Sequence, residues 1–378
     1  MDNSIMLKDG DLDNIKMTSA NKMKDGIYFG MSDDDYHTLP MPSRSMMEKF
    51  LVDPEEAWHN SWMNPDKPER TATPAMELGT AIHTAILEPD VYGELYCSAP
   101  KMEDFDGKTI LKTNEELGNF LASVGEKKSG KKEDLIARAL LYIDPQKTVI
   151  WEVVQREFLN EVMESDKRVL DQYQLETIEG IVDSLGRRKG ISQIFEKGYA
   201  EVTIILTDED TGIQYKCRLD YVRPETIGEL KSFTLKGKKG LYKAICDEIV
   251  WNKYNLQFAV YAHTLEAIIK KVRLGEAEVF GEVDQEWLKE FLKVPKKQFF
   301  FLFVRTAAPY QMMAIELFKN TGGGTDNVYY SEPMFWLRNS LKQMKVYLDK
   351  FGEERWIDQD NVRELEDAHV PGVQYQII

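Results

Sequence analysis

Three short extended runs joined by tight reversals constrain this chain more than any other feature. Glu201-Val-Thr-Ile-Ile-Leu-Thr207 is β-branched, and Asp208-Glu-Asp-Thr-Gly212 supplies a turn. A second run spans Ile213 to Val222, and after Pro224-Glu225 a third spans Thr226 to Phe233. β-Branched side chains fit a pleated surface, while Asp, Gly and Pro reverse the chain, so the pattern predicts a hairpin with a third strand beside it. Gln298-Phe-Phe-Phe-Leu-Phe-Val304 adds a buried strand.

The flanking segments are helical. Ser43 caps an apolar-periodic stretch that stops at Asp53-Pro54, and the segment Pro74–Pro89 is a helix bounded by prolines. Residues 109–144 predict two amphipathic helices around a Gly/Lys turn, and 146–196 are mainly helical. A long helix is predicted around Leu241–Lys271 and a terminal one over Pro333–Phe351. The organisation expected is a flexible arm (1–25), an N-terminal helical part (26–108), a helical insertion (109–145), the main core (146–355) and a tail (356–378). At ~150 residues per domain, 378 residues suit two to three domains or one elaborated core.

Composition narrows the function. With 43% hydrophobic residues the chain has material for a core and is neither disordered nor collagen-like. No run reaches the ~18 uncharged apolar residues of a membrane helix, and the charged start lacks a signal-peptide pattern, so no membrane association and a cytoplasmic location are expected. Three cysteines, with no Cys-x-x-Cys, exclude a disulfide framework, a four-cysteine zinc site and a four-cysteine iron–sulfur cluster. The formal charge of −16 argues against a protein that coats nucleic acid indiscriminately, yet it leaves room for a local basic channel. Gly125-Glu-Lys-Lys-Ser-Gly-Lys-Lys132 nearly spells a phosphate-binding loop, but Lys132 stands where the magnesium-binding Ser or Thr belongs and a helix precedes it, which rejects nucleotide binding.

The chemistry lies in Arg218-Leu-Asp220-Tyr221 and Gly228-Glu-Leu-Lys-Ser232. Side chains two apart on a strand share a face, so Glu229 and Lys231 project together and Leu230 points to the opposite, core side. Antiparallel pairing through the Pro224 turn brings Asp220 near Glu229. Two carboxylates can hold a hard cation such as Mg²⁺ or Mn²⁺, and a neighbouring ammonium offsets charge building on a phosphate. Exposed strand edges also alternate acid and base, so on spacing alone both readings stand. Gln257 and Tyr261, four apart on a helix, share a face and equally suit a helix rim.

Taken together, Asp220, Glu229, Lys231 and Gln257-Phe-Ala-Val-Tyr261 resemble the PD-(D/E)XK nuclease superfamily, in its exonuclease VIII (RecE-like) branch related to lambda-type exonucleases. The likeness extends to Tyr36-His37, Pro42-Ser-Arg-Ser-Met-Met-Glu-Lys-Phe50, Leu78-Gly-Thr-Ala-Ile-His-Thr-Ala-Ile-Leu-Glu-Pro89, Asp208–Gly212 and Phe301-Leu-Phe-Val-Arg-Thr-Ala-Ala-Pro-Tyr310. Leu219 departs from the pattern, which has proline before the aspartate. The resemblance implies an α/β restriction-endonuclease-like core with a mixed central β-sheet flanked by helices, an N-terminal helical elaboration and a small helical insertion. It implies a metal-dependent DNA exonuclease, acting 5′-to-3′ on double-stranded ends to make single strands for recombination; an endonuclease of the same fold or an inactive DNA-binding scaffold are the alternatives.

By the same resemblance His83, Asp220, Glu229 and the carbonyl of Leu230 would ligate Mg²⁺, with Mn²⁺ as substitute, and Gly79 would let the His83 helix approach closely. Lys231 would orient water or stabilise the pentacovalent phosphate, and Gln257 and Tyr261 would brace the site. Glu201 is either an auxiliary acid or a solvated strand end. Lys236, Lys238 and Lys239 are the expected DNA contacts, and the 109–145 insertion is similar to a SAP-type DNA-binding hairpin. Partners implied are double-stranded DNA ends, a homo-oligomeric ring and a single-strand annealing protein in a phage or prophage setting.

Overall fold

The computed structural model describes residues 23–357 apart from 70, 166, 236, 295–296 and 317–327, with backbone alone at 328–332. In order the chain forms β1 (Gly26–Tyr28), α1 (Asp33–Thr38), α2 (Arg44–Val52), α3 (Pro54–His59), α4 (Pro74–Leu87), α5 (Pro89–Leu95) and β2 (Tyr96–Ser98). Then come β3 (Thr109–Leu111), α6 (Asn114–Ser123), α7 (Lys132–Ala139), β4 (Thr148–Ile150), α8 (Trp151–Glu164), β5 (Arg168–Leu170), α9 (Gln172–Gly186) and α10 (Lys189–Ser192). The second half comprises β6 (Tyr199–Thr207), β7 (Gln214–Val222), β8 (Thr226–Phe233), α11 (Leu241–Trp251), α12 (Tyr254–Leu274), β9 (Glu278–Phe280), α13 (Gln285–Lys293), β10 (Gln298–Arg305), β11 (Met312–Glu316) and α14 (Val328–Phe351).

Seven strands form one mixed sheet in the order β11-β10-β8-β7-β6-β1-β9, the restriction-endonuclease-like architecture the sequence implies. β6 and β7 make the expected hairpin, with Thr203 opposite Arg218, and β8 runs antiparallel to β7. β10 lies parallel to β8 along its whole length, from Gln298 opposite Thr226 to Arg305 opposite Phe233. Parallel neighbours need a long crossover, and the segment from α11 to α13 provides it. The three-residue strands β1 and β9 give no readable alternation in the sequence and are defined only by pairing.

The sheet is covered on both sides. Ile204, Cys217, Ile227, Phe301 and Phe303 face a core shared with α2, α12 and α14, whereas Leu230, Leu302 and Val304 face a second core shared with α4 and α9. The insertion expected over 109–145 shares a small core with the residues just after it: Leu111, Leu117, Leu121, Leu135 and Ile136 pack with Ile150, on the parallel pair β3 and β4. Arg138 stiffens its Gly/Lys turn by donating to the carbonyls of Lys127 and Ser129.

Three expectations are corrected. The single helix over 241–271 is two helices, because Lys253 is left-handed (φ 50°) and ends the run between α11 and α12. No Gly or Pro marks that break; the Asn252 amide donates to the Glu248 carbonyl at 3.0 Å, and Lys253 pairs with Glu48 at 3.2 Å. Trp356, expected in the tail, is fully buried against Phe50. Asp25, expected in the arm, is tied to β6 by Thr207 (2.7 Å) and to α12 by Lys271 (3.1 Å). Residues 1–22 and 358–378 lie outside the described residues. Among the described residues no helix is long and apolar enough to cross a membrane.

Candidate functional site

The site forms where the sheet's regular pairing stops. β7 and β8 share a ladder at only two positions, Tyr221 with Gly228 and Val222 with Ile227, and the β6–β7 register passes over Glu201 and Asp220. Carboxylates take over the pairing there. The amide of Leu230 donates to Asp220 Oδ2 at 2.7 Å, and the amide of Asp220 donates to Glu229 Oε1 at 3.3 Å. Glu201 adopts a left-handed backbone (φ 52°), unfavourable for a residue with a Cβ, and directs its side chain to the same gap.

Helices close the gap from both faces. On one, α4 carries His83, whose Nδ1 lies 3.7 Å from Asp220 Oδ2. On the other, α12 carries Gln257, whose Nε2 donates to Glu229 Oε2 at 2.8 Å. Lys231 Nζ reaches that same oxygen at 3.1 Å, with the rings of Tyr254 and Phe301 at 5.4 and 5.5 Å. His83, Asp220, Glu229, Lys231 and Gln257 thus converge, and Tyr261 stands close enough for the Glu229 charge to act on it.

The electrostatics describe crowded negative charge. Glu229 is wholly buried; burial and then the Asp220 carboxylate push its pKa up to about 8, against the opposing pull of Lys231. Burial and Asp220 likewise push Glu201 up to about 8, while Arg218 pulls it down. Burial opposes the Lys231 charge, but Glu229 and Asp220 outweigh it and hold the ammonium above its usual range. Burial lowers His83, leaving a neutral ring suited to metal ligation, although Asp220 and the Leu230 backbone favour its protonated form. Burial, followed by the charge of Glu229, holds the Tyr261 phenol well above its usual value.

His83, Glu201 and Asp220 each offer a ligand atom, all within 4.8 Å of one another. Carboxylate oxygens with one imidazole, in a pocket where burial and the Asp220 carboxylate hold the pKa of Glu201 and of Glu229 above the usual carboxylate range, fit a hard divalent cation. Glu229 lies beside that triad through Asp220. The sequence left Glu201 open and missed Arg218, whose Nε is 3.0 Å from Glu201 Oε2. Strand alternation offered the signal, since Arg218 and Asp220 are two apart.

Of the expected DNA contacts, Lys239 is exposed and pairs with Asp247 at 2.6 Å, which also binds Lys243 at 2.7 Å. Lys238 is exposed and Lys236 lies outside the described residues. Gly79 is not required for close approach, because a Cβ there would meet only Ser232 Oγ at an ordinary 3.6 Å. Gly79→Ala is therefore expected to stabilise α4 by about 0.5–1 kcal/mol through helix propensity. Thermal denaturation checks this, and a lower Tm would show that the glycine is needed for packing.

The family model described as "PDDEXK-like domain of unknown function (DUF3799)" matches residues 43–276, more than half of the chain, a span that contains His83, Glu201, Asp220, Glu229, Lys231 and Gln257. No curated protein matches. A solved protein from Eubacterium rectale with a provisional exonuclease name is similar at 16% identity and a TM-score of 0.30, covering 74% of this chain and 88% of that one. The family model alone supports the assignment: this chain belongs to the PDDEXK-like family DUF3799, in the PD-(D/E)XK nuclease superfamily.

Proposed function

We propose that this chain is a Mg²⁺-dependent exodeoxyribonuclease of the exonuclease VIII (RecE-like) branch, degrading linear duplex DNA 5′-to-3′ to leave single strands for phage-type recombination. The observation that supports this best is Glu229, a carboxylate with no exposure held by Lys231 and Gln257 beside Asp220. A buried acid flanked by a second acid and a lysine is costly for stability alone, and it suits a centre where a cation and a phosphate meet.

His83, Asp220, Glu201, Glu229 and the Leu230 carbonyl would hold the cation. When bound, it would lower the pKa of a water molecule and neutralise phosphate charge. Lys231, beside the stacked rings of Tyr254 and Phe301, would place its ammonium against charge developing on the phosphate, and Gln257 would keep Glu229 turned toward Asp220. The 109–145 insertion is assigned to gripping duplex DNA. A homo-oligomeric ring and a single-strand annealing partner belong to the same proposal.

The test uses a linear duplex labelled at its 5′ or its 3′ end, beside a covalently closed circle, with Mg²⁺ or with EDTA. The expected result is early release of the 5′ label, an intact circle and no loss in EDTA. Absence of metal-dependent hydrolysis refutes the nuclease reading, and cleavage of the circle replaces it with an endonuclease.

A further inference from the structure

Strand alternation on β7 sends Tyr215, Cys217 and Leu219 into the core and Lys216, Arg218 and Asp220 to the other side. The last of these reaches the acid cluster. The first two grip the segment before the family-matched region. Lys216 Nζ and the Arg218 guanidinium lie 4.6 and 5.2 Å from the centroid of the Tyr36 ring, and Lys216 also donates to the Leu39 carbonyl at 3.1 Å.

Arg218 is only 10% exposed, and all three of its nitrogens are engaged. Nε faces both ends of one residue, the Glu201 carboxylate at 3.0 Å and the Glu201 carbonyl at 3.3 Å. Nη1 meets Asp33 at 3.1 Å, and Nη2 donates to the Met31 carbonyl. Asp33 in turn lies 3.4 Å from His37. The residue gripped by backbone and side chain together is the one with left-handed backbone, standing with His83 and Asp220. Removing the guanidinium takes away a charge that offsets the repulsion between the Glu201 and Asp220 carboxylates and leaves the unfavourable backbone of Glu201 freer to relax.

We infer that Arg218 is a positioning residue of the cation site: anchored by Met31, Asp33 and Tyr36, it holds Glu201 in place as a ligand beside His83 and Asp220. Residues 31–36 precede the matched region 43–276, so a segment outside the family model sets the firmness of a ligand inside it. The inference rests on the nuclease reading only for what the bound cation is used for.

The test is Mn²⁺ titration calorimetry on the full, metal-free chain, with thermal unfolding of each variant. Residues that orient metal ligands typically alter affinity about 10–100-fold. Arg218→Gln is expected to weaken Mn²⁺ binding by about 10-fold or more while still melting cooperatively. Arg218→Lys should recover part of that loss. Asp33→Asn, which touches Arg218 and not Glu201, should lose less, about 2–5-fold. Wild-type affinity in Arg218→Gln overturns the inference. Should that variant fail to fold, wild-type affinity in both Arg218→Lys and Asp33→Asn overturns it instead. A wild type that binds Mn²⁺ more tightly than Arg218→Gln, yet hydrolyses no DNA, refutes the nuclease reading and leaves the positioning role standing.

Discussion

Lys231→Ala is expected to slow hydrolysis of linear duplex DNA by about 10²–10³-fold, the usual cost of deleting one group aimed at transition-state charge. Its ammonium is 3.1 Å from Glu229 and 5.4 and 5.5 Å from the Tyr254 and Phe301 rings, so truncation deletes the positive charge set beside Glu229. Gln257 holds Glu229 independently of Lys231, through its own 2.8 Å hydrogen bond, and the substitution alters neither the carboxylates nor His83. Mn²⁺ binding should therefore persist while single-turnover hydrolysis of an end-labelled duplex collapses. A variant hydrolysing at the wild-type rate would remove Lys231 from the chemistry and favour a scaffold role.

The metal-free protein is expected to lose stability as pH rises from about 5 to about 8. Glu201 and Glu229 normally titrate near 4.5 but are pushed up to about 8 in the fold by burial and by Asp220. Between those values the folded state keeps protons that the unfolded state has released, so each such proton makes stability fall by up to ~1.4 kcal/mol per pH unit. Below the lower value both states are protonated and this dependence is absent; above the upper one the loss is complete. A divalent cation competes with these protons, so its stabilisation should grow over the same window.

Glu229→Gln should flatten the profile, raise the metal-free Tm at pH 8 and reduce the gain on adding Mn²⁺. Thermal unfolding from pH 5 to 9, with and without Mn²⁺, measures all three. A variant whose metal-free profile overlays that of the wild type would show that Glu229 does not carry the stored charge.

The parts of this molecule legible in the sequence are those written in local periodicity. The β6–β7 hairpin and β8 follow from the β-branched run of β6 and the turns after it, β10 follows from a phenylalanine-rich run, and the pairing of Glu229 with Lys231 follows from a period of two. His83 depended on family likeness, since nothing local links a helix at 74–87 to a strand at 226–233. What remained hidden depends on tertiary choices. The left-handed Glu201 and Lys253 have no Gly to announce them, strands of three residues are too short to show alternation, and Asp247 captured two lysines that a charge run alone leaves free.

Because β7 and β8 join at only two positions before carboxylates take over, the centre is a seam in the fabric of the sheet. The main-chain amide of Asp220 is capped by Glu229, whose charge varies with solution conditions, and that of Leu230 by the Asp220 carboxylate, unlike the fixed carbonyls of an ordinary ladder. Acid strength and ion supply would thus be transmitted directly into backbone order, and hydrogen exchange at those two amides would report the occupancy of the centre while the flanking strands stay locked.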